Sequence, residues 1–475
     1  MRFGALCAAL LVFVTVVCAV PAHAQAATFT NPLNSTGPDP YMTYYNGNYY
    51  LMTTPWNGPL TMRKAPTIAA LKQAAPVPVF NDFPAGRCCW VWAPEFHLIN
   101  GRWYIYYSAG TGDIEAQRVH VAESAGLDPT GPYTYKGMVY SGWGIDGSVV
   151  TISGQLYYIW SGVPTQLWRD SDPHIYIAAM SNPWTISGQR TAISAPTLAW
   201  ERQGTPMNEG PVALQHNGRT FIVYSASACQ GPDYKLGLLS YNGGNPLSVS
   251  AWTKAPQPIF QRSDAGGVYG PGHNGFFTSP DGTESWIVHH ANTSASQGCG
   301  DTRTTRIQKF TWNADGTPNL GVPVAAGTTL TVPSGEPVVT YQRITNRGSG
   351  KVVDVQMPNT SDSARVGQWA WNGGPWQQWR FVDAGGGHVR IESLNSGKCL
   401  DVTGRSTADG AGVIQYRCGD GTNQQFQLVA SGSYFTIRAR HSGKCLTVAG
   451  ASTSDGALLE QRACGTGNEF LWSRT

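Results

Sequence analysis

Five stretches of the chain share one pattern, in which a turn residue and a glycine precede an aromatic-rich run of alternating positions. They read NGNYYLMTT (46–54), NGRWYIYYSAG (100–110), SGQLYYIWSG (153–162), NGRTFIVYSAS (217–227) and DGTESWIVHH (281–290). Alternation predicts strands, and Asn-Gly or Asp-Gly between two strands predicts a tight hairpin. Successive turn glycines lie 54, 53, 64 and 64 residues apart, which is room for four strands each. Five such units predict a five-bladed β-propeller.

A different repeat begins near residue 338. Its three segments recur at steps of 47 and 46 residues: VVDVQMP…WAWNGGPWQQW (352–379), CLDVTGR…YRCGDGTNQQF (399–426) and CLTVAGA…RACGTGNEFLW (445–472). Two of them keep a pair of cysteines 19 residues apart, and three such units predict a β-trefoil. We therefore expect an all-β protein with a propeller over 27–335, a trefoil over 338–475 and the short VPSGEP segment at the boundary.

The first 24 residues have the features of a secretory signal peptide: a basic start at Arg2, an apolar run and the small-residue motif AHA. A membrane anchor is the alternative, but the run is short for a bilayer and no charged stop follows it. Eight cysteines remain after residue 24, an even number that suits an oxidising compartment. We expect a secreted, extracellular protein.

Composition narrows the choice of partners. The 56 glycines, 21 tyrosines and 17 tryptophans suit strands joined by tight turns. Charged residues make up only 13% of the chain and the net charge is +3, with the basic residues scattered, so no nucleic-acid partner is expected. We also expect no membrane contact and a monomer.

A polar residue stands at the start of the strand before the turn in four of the five units: Asp39, Asp146, Glu209 and His273. In the remaining unit Glu95 is out of phase with the others, and we expect it to be structural. A single Asp-Pro, as at Asp39, is usually a turn starter. Three carboxylates at matching points of a chain so poor in charge instead predict one pocket, because the innermost strand of each blade lines the central channel.

Such a pocket suits hydrolysis of glycosidic bonds. Crowded carboxylates repel one another as anions, so their pKa values separate and one can stay protonated near neutral pH. Glycosidic hydrolysis needs one carboxyl group that protonates the leaving oxygen and one carboxylate that activates water. Trp56, Trp90, Trp92 and Trp143 could stack on sugar rings, although core aromatics need no such function. A cation site formed by the carboxylates and His273 is the alternative.

Nine stretches within residues 30–335 carry a family resemblance: NPLNSTGPDPY, WAPEFHLINGRWYIYYSAG, GIDGSV, SNPWTISG, NEGPVAL, VYSAS, YKLGLLSYNGG, VYGPGHNGFF and RIQKFTWNADGTPNLG. They resemble glycoside hydrolase family 43, above all its exo-acting α-L-arabinofuranosidases. The resemblance implies Asp39 as general base, Glu209 as general acid, and Asp146 as the carboxylate that tunes the pKa of the acid and orients substrate. It also implies inversion at the anomeric carbon.

The same resemblance implies an ion but no cofactor for the chemistry. His273, in GPGHN, resembles the channel histidine that this family places near a structural calcium or sodium ion, often through water. An arginine after the last blade commonly faces the substrate, and Arg303 is the first candidate, with Arg306 as its competitor.

The four cysteines of the propeller leave their pairing open. Cys88 and Cys89 are adjacent in RCCWVWAPE, which departs from the family pattern, and a vicinal disulfide there could alter substrate fit at the pocket rim. Cys229 and Cys299 could bridge blades four and five, but the sequence alone does not decide among the pairings.

Two of the three units of the second repeat offer an acid, an aromatic and at least one amide side chain in the same order. Unit one has Asp354, Trp369 and Gln377, and unit two has Asp401, Tyr416, Asn423 and Gln424. Unit three has Thr447 and Arg462 instead, and Phe470 interrupts its closing motif. These sets resemble the sugar sites of ricin-type β-trefoil lectins, carbohydrate-binding module family 13. The resemblance implies two working sites and a third unit kept for packing, although a single Asp could be only a turn residue.

The combined expectation is a secreted exo-α-L-arabinofuranosidase that releases L-arabinose from arabinan, arabino-oligosaccharides or arabinoxylan of plant cell walls. The trefoil would hold the enzyme on the polymer. A β-xylosidase or an endo-1,5-α-arabinanase is the alternative among hydrolases. A non-catalytic carbohydrate-binding protein is the alternative of another class, and the three intact carboxylates argue against it.

Overall fold

The computed structural model describes residues 27–165, 167–356 and 358–475, so the expected signal peptide lies outside the described residues. Within those ranges the chain is nearly all β-structure. Its single α-helix there, α1 (Ile68–Gln73), begins after Thr67, whose hydroxyl accepts a hydrogen bond from the N–H of Ala70. No helix of the described ranges is long and apolar enough to cross a bilayer.

Five antiparallel sheets follow one another along the chain and form the predicted five-bladed propeller. After β1 (Thr28–Thr30), blade one contains β2 (Tyr41–Tyr45), β3 (Asn48–Met52), β5 (Leu60–Ala65) and β6 (Val77–Phe80), while β4 (Trp56–Asn57) pairs with blade two. Blade two contains β7 (Cys89–Ile99), β8 (Arg102–Gly110), β9 (Arg118–Ser124) and β10 (Tyr133–Tyr140). Blade three contains β11 (Gly144–Ile152), β12 (Gln155–Gly162), β13 (His174–Asn182) and β14 (Thr185–Ser194).

The last two blades repeat the arrangement. Blade four contains β15 (Asn208–His216), β16 (Arg219–Ala226), β17 (Lys235–Tyr241) and β18 (Trp252–Lys254), and blade five contains β19 (Tyr269–Thr278), β20 (Ser285–Asn292), β21 (Thr304–Trp312) and β22 (Pro318–Asn319). A later strand, β23 (Thr329–Thr331), pairs with β1, and the Asn31 amide donates to the carbonyl of Ile307 at 2.8 Å. The N-terminal segment is thereby fastened to blade five.

Four of the five predicted hairpins have two-residue turns. Both turn residues have positive φ in Asn46-Gly47, Asn100-Gly101, Ser153-Gly154 and Asn217-Gly218, as a type I′ turn requires. The fifth prediction, a tight turn at Asp281-Gly282, is wrong. There Thr278 pairs with Ser285 across a longer loop, in which the carboxylate of Asp281 accepts hydrogen bonds from Thr283.

Twelve strands of the described residues form the predicted trefoil. They are β24 (Ile344–Asn346), β25 (Val352–Val355), β26 (Ala364–Trp369), β27 (Trp379–Gly385), β28 (His388–Ser393), β29 (Cys399–Val402), β30 (Ala411–Tyr416), β31 (Phe426–Ser431), β32 (Tyr434–Ala439), β33 (Cys445–Val448), β34 (Leu459–Arg462) and β35 (Trp472–Arg474). The same register recurs in each unit, with Val352 opposite Trp369, Cys399 opposite Tyr416 and Cys445 opposite Arg462. Buried Val353, Leu400 and Leu446 occupy one position of the common core.

The trefoil contacts blade one on the side of the hairpin turns. The N–H of Ala75 donates to the carbonyl of Asn395 at 2.7 Å, and Arg380 reaches Asn48, beside the first turn, at 3.4 Å. Asp39 precedes β2, at the opposite end of that strand from the turn. The trefoil and the starts of the inner strands therefore lie on opposite faces of the propeller.

Candidate active site

The starts of the five innermost strands share an unusual backbone conformation. One residue of each blade has a φ of 45° to 57° there: Asp39, Ala93, Asp146, Gly210 and His273. This region is rare for residues other than glycine, and strain of this kind is usually retained at functional sites. In blades two to five, β-bulges lie at the same place in the pairing with the second strand.

Each of these five residues donates its backbone N–H to a side chain of another blade. The acceptors are His290 for Asp39 (3.2 Å), Thr54 for Ala93 (2.7 Å), Ser108 for Asp146 (2.9 Å), Asp146 for Gly210 (3.0 Å) and Ser225 for His273 (2.9 Å). Four of these acceptors, all except Asp146, were not predicted from the sequence, although a signal was present. A Ser or Thr stands seven residues after the turn glycine in four blades, at Thr54, Ser108, Ser161 and Ser225.

Asp39 is buried among cationic and hydroxyl groups. Arg303 Nη1 lies 2.6 Å from Asp39 Oδ1, and Thr54 donates its hydroxyl to Oδ2 at 2.8 Å. His273 Nδ1 lies 3.4 Å from Oδ1. Burial acts to raise the pKa of Asp39, but Arg303 and then His273 outweigh it and hold the pKa well below its usual range. Asp39 is therefore a carboxylate at neutral pH, which is the state that a general base needs.

Glu209 has the opposite charge state. It is buried, and the Tyr234 hydroxyl donates to its Oε1 at 2.7 Å. Burial, followed by the charge of Asp146, raises the pKa of Glu209 to about 8. Tyr234 acts in the other direction, because a hydrogen bond to the carboxylate favours the ionised form. At neutral pH Glu209 thus keeps a proton that it can donate.

Asp146 and His273 complete the charged group. Burial raises the pKa of Asp146 to about 6, against the lowering effect of His273. Burial lowers the pKa of His273, but Asp39, Asp146 and Glu209 raise it, and the net direction is upward. One ligand atom from each of Asp146, Glu209 and His273 lies within 4.8 Å of the others. The imidazole of His273 therefore lies among carboxyl groups that favour its protonated form.

These residues also bear on the expected ion. Coordination of a cation by Asp146, Glu209 and His273 together would require Glu209 to lose its proton. The neighbouring Asn274 is buried, and neither polar atom of its side chain has a partner among the described residues. Buried polar groups of this kind are usually satisfied by water or an ion. A hydrated cation beside His273 and Asn274 therefore fits these residues better than direct coordination by the acid.

The carboxyl groups open into a cavity of about 290 Å³. Besides the charged groups, its walls are mainly aromatic and aliphatic and include Trp56, Trp92, Ile114, Ile145, Trp168, Met207 and Gln230. The Trp56 and Trp92 rings are nearly perpendicular, at 84°, with centroids 6.3 Å apart. The volume is close to the lower end of the range for ligand pockets, about 300–1,000 Å³.

The structure corrects the expectation for Trp143. Its side chain is completely buried, donates its N–H to the carbonyl of Ile114 at 2.7 Å and packs against Trp168 at 4.8 Å. A ring with no exposed surface presents no face to a sugar. Trp168, which the sequence analysis missed, occupies the cavity wall instead.

The structure places the two arginine candidates in different surroundings. Arg303 lines the cavity, whereas Arg306 is completely buried and donates from Nε to the hydroxyl of Thr304 at 2.9 Å. Glu95 is buried and lies 2.9 Å from His97 Nε2, two positions beyond Ala93, the residue that matches Asp39 in blade two. This placement agrees with the structural role expected for Glu95.

The structure resolves the disulfide pairing. Among the described residues the bonds are Cys88–Cys89, Cys229–Cys299, Cys399–Cys418 and Cys445–Cys464. Cys229 follows the second strand of blade four and Cys299 follows the second strand of blade five, and both line the cavity. The pair at 88 and 89 links neighbouring residues at the start of β7.

Unit two of the trefoil assembles its expected polar set. Asn423 Nδ2 and Gln424 Nε2 both donate to Oδ2 of Asp401, at 2.9 and 2.8 Å. These residues and the exposed ring of Tyr416 line a cavity of about 510 Å³. No described residue donates a hydrogen bond to Oδ1 of Asp401, which leaves that oxygen for a ligand hydroxyl.

Unit one has the same arrangement with one partner fewer. Gln377 Nε2 donates to Oδ2 of Asp354 at 2.8 Å, and Trp369 is 44% exposed. Gln377 occupies the place of Gln424, so Trp376 stands where unit two has its asparagine. Burial raises the pKa of Asp354 to about 6, with Gln377 acting to lower it.

Unit three lacks this chemistry. Thr447 is buried and donates to the carbonyl of Glu469 at 3.3 Å, and Phe470 is buried in the position of the glutamine. Arg462 replaces the aromatic residue. The unit therefore has neither the carboxylate nor the exposed ring that the other two provide.

Comparison with known proteins decides the family. Residues 29–318 match the model of glycosyl hydrolases family 43, and residues 308–416 and 422–475 match the ricin-type beta-trefoil lectin domain-like family. The first match covers more than half of the chain. The protein belongs to glycosyl hydrolase family 43. It is therefore a glycoside hydrolase with a ricin-type trefoil lectin domain.

Several family 43 relatives are similar over most of the chain. The extracellular exo-alpha-(1->5)-L-arabinofuranosidase of Streptomyces avermitilis is 40% identical over 328 residues, 65% of this chain and 67% of that protein. Alpha-L-arabinofuranosidase 43 of Humicola insolens is 35% identical over 342 residues, 69% of this chain and 70% of that protein. The structure of alpha-L-arabinofuranosidase from Lactobacillus brevis matches with a TM-score of 0.59 at 32% identity. The match covers 63% of this chain and 98% of the Lactobacillus brevis chain.

The cavity contains the residues that the family 43 resemblance implied: Asp39, Asp146, Glu209, His273 and Arg303. The sequence analysis missed Tyr234 and His290, which touch the acid and the base. Tyr234 follows a loop, and no repeat position marks it. The seven-residue spacing points to His289 in blade five, and only the strand register, with Gly272 opposite His290, places His290 where other blades have Ser or Thr.

Proposed function

We propose that this family 43 enzyme is a secreted, exo-acting α-L-arabinofuranosidase that cleaves with inversion. One observation carries the proposal: Asp39 and Glu209 line the same cavity of about 290 Å³, where Arg303 and His273 lower the pKa of Asp39 and burial raises the pKa of Glu209 to about 8. A base and an acid in these states are the two groups that inverting hydrolysis requires. The names of the relatives from Streptomyces avermitilis and Humicola insolens support arabinose as the sugar released.

In the proposed reaction, Glu209 donates its proton to the glycosidic oxygen as the bond from that oxygen to the anomeric carbon breaks. A water molecule on the opposite face of the sugar attacks the carbon, and Asp39 accepts the proton that this water loses. The products are an arabinose of inverted configuration and an alcohol. The low pKa of Asp39 makes it a weak base at rest, but the water becomes acidic as its oxygen bonds to carbon.

The neighbouring groups set these charge states. Asp146 raises the pKa of Glu209 and is close enough to contact a sugar hydroxyl. Arg303 keeps Asp39 ionised and in place through the 2.6 Å contact. His273 offsets the negative charge between the two carboxylates. We also propose that a hydrated calcium or sodium ion near His273 and Asn274 supplies structural charge balance, and no step of the reaction uses it.

Exo action is supported by the cavity itself. Its volume suits one terminal sugar unit, and the Cys229–Cys299 disulfide ties two loops across its edge. An endo enzyme needs a cleft that lets a chain pass on both sides of the cleaved bond. A β-xylosidase would use the same acid and base, so the sugar preference rests on the relatives' names.

We propose that the trefoil holds the enzyme on arabinan or arabinoxylan through units one and two. Each offers a buried carboxylate beside an exposed aromatic ring, at Asp354 with Trp369 and at Asp401 with Tyr416. Two weak sites on one rigid domain gain by avidity on a polymer. Secretion is supported by the four disulfides and by the word "extracellular" in the name of the Streptomyces relative.

The full-length protein can be tested on p-nitrophenyl α-L-arabinofuranoside and on the matching β-D-xylopyranoside, with Glu209→Gln as the control. We expect hydrolysis of the aryl arabinofuranoside, and inversion when the product anomer is followed by NMR. On α-1,5-arabino-oligosaccharides, whose alkoxide leaving group needs a proton, the variant should lose about 10²–10⁴-fold in rate. Linear 1,5-arabinan should yield arabinose alone. A ladder of oligosaccharides would instead indicate an endo enzyme, and a variant unaffected on the arabino-oligosaccharides would remove Glu209 as the acid.

A further inference from the structure

A third tryptophan stands beside the cavity without lining it. Trp90 is 36% exposed and stacks on the cavity wall residue Trp92, with ring centroids 5.5 Å apart and planes 14° from parallel. Trp92 in turn meets Trp56 edge to face. The three rings form a continuous aromatic surface, which we call the tryptophan ledge, and Trp90 is its exposed outer end.

The backbone holds Trp90 in a conformation that a bulky residue rarely adopts. Its φ is 50°, in the left-handed region. The preceding residues are the bonded pair Cys88–Cys89, and the completely buried Gln117 donates from Nε2 to the carbonyl of Trp90 at 3.0 Å. A disulfide between neighbours closes a small ring that restricts the backbone on the N-terminal side of the tryptophan.

Packing alone does not account for this arrangement. Leaving much of an indole in water forgoes hydrophobic stabilisation, and the left-handed backbone adds strain. A residue that only supported Trp92 would be stable with its ring covered. Strain, a disulfide and a buried amide that together hold an exposed ring beside a reactive cavity are typical of a binding surface.

We propose that Trp90 forms a sugar subsite outside the cavity, stacking on a ring of the leaving portion of the substrate. This rests on the proposed function, because an exo enzyme holds the terminal sugar in the cavity and leaves the remainder of the chain at its mouth. The ligand is a sugar ring with an apolar C–H face, for which a flat indole is a suitable partner. That ring could come from an arabinan chain or from a xylan backbone.

The test compares Trp90→Ala with wild type on three substrates: p-nitrophenyl α-L-arabinofuranoside, linear α-1,5-arabino-oligosaccharides and arabinosylated xylo-oligosaccharides. We expect kcat/KM for at least one oligosaccharide series to fall about fivefold to tenfold more than kcat/KM for the aryl glycoside. The series that loses more identifies the source of the ring. Equal losses on all three substrates would overturn the subsite and leave Trp90 as a support for Trp92.

Two further variants keep the result interpretable. Cys88→Ser/Cys89→Ser retains the indole but frees its backbone, and should produce a smaller loss with the same substrate preference. Trp184→Ala removes a partly buried tryptophan at the β13–β14 turn, and should leave the ratio between substrates as in wild type. If wild type does not cleave arabinofuranosides at all, the proposed function fails. If it does and the ratios do not move, only the subsite fails.

Discussion

Tyr234 donates its hydroxyl hydrogen bond to Glu209 at 2.7 Å while its ring stacks on His290, with centroids 5.5 Å apart and planes 14° from parallel. His290 Nδ1 accepts the backbone N–H of Asp39, which requires a neutral imidazole, and burial lowers the pKa of His290 to about 3. Tyr234 therefore contacts both Glu209, the proposed acid, and His290, which accepts the backbone N–H of the proposed base. Its ring also lies against Gly272, where an added Cβ would come within 2.5 Å of it.

Replacing Tyr234 by Phe should move the alkaline limb of the kcat/KM profile to higher pH. The lost hydrogen bond favoured ionised Glu209, so its pKa should rise from about 8. The matched control is Tyr224→Phe, which removes a buried hydroxyl that donates to Glu201 at 2.8 Å. A limb that moves equally in both variants, or in neither, would contradict the role of this contact.

Asp146→Asn should move the alkaline limb of the kcat/KM profile to lower pH. After burial, the charge of Asp146 is the largest cause that raises the pKa of Glu209. An amide keeps an oxygen for the N–H of Gly210 but removes the charge, so Glu209 should lose its proton at lower pH. The measurement is kcat/KM against pH for an α-1,5-arabino-oligosaccharide, whose leaving group needs the proton of Glu209. An unchanged or raised limb would show that Asp146 does not tune the acid.

Arg303→Met should raise the pKa of Asp39, because it removes the largest influence that opposes burial and leaves only His273 and His290 to lower the pKa. Protonation would inactivate the base, so we expect an acid limb that begins at higher pH than in wild type. At neutral pH we expect a loss in kcat/KM of about 10²-fold or more. Arg303→Lys retains the charge and should recover part of the profile. An acid limb identical in wild type and Met variant would exclude the pairing of Arg303 with Asp39.

Glu209→Gln should be more stable than wild type at alkaline pH. The folded pKa of about 8 lies above the usual value of 4.5, so the unfolded chain releases the proton first. The wild-type protein therefore loses stability as pH rises from 4.5 to 8, whereas glutamine has no proton to lose. Melting temperatures should differ by several degrees at pH 8 and converge near pH 4. A constant difference across this range would contradict the raised pKa.

Asp401→Asn, in unit two of the trefoil, should weaken binding to insoluble polysaccharide more than Thr447→Val in unit three. The buried carboxylate holds Asn423 and Gln424 and leaves one oxygen for a ligand. Depletion assays on arabinan and arabinoxylan, performed in the Glu209→Gln background, would measure the effect. Thr447→Val is the matched control, since unit three has no carboxylate at this position. Equal depletion by both variants would remove unit two as a sugar site.

Periodicity accounts for most of what the sequence revealed. Hairpin glycines at regular steps predicted five blades, and the offset back from them led to Asp39, Asp146 and Glu209. The offset holds because every blade enters its inner strand through the same left-handed bend. In blade five a longer loop replaces the predicted tight turn, yet the offset still led to His273 in the cavity.

The sequence by itself determined the number of blades, the three-unit second domain and the carboxylates that meet at the axis, because these follow from local periodicity. Only the tertiary structure decided their charge states, since a pKa depends on burial and on charges such as Arg303, 264 residues away from Asp39. It also decided that Trp168 rather than Trp143 lines the cavity. The two rings pack against each other in space, and Trp143 is the one that is completely buried. No spacing along the chain contains that information.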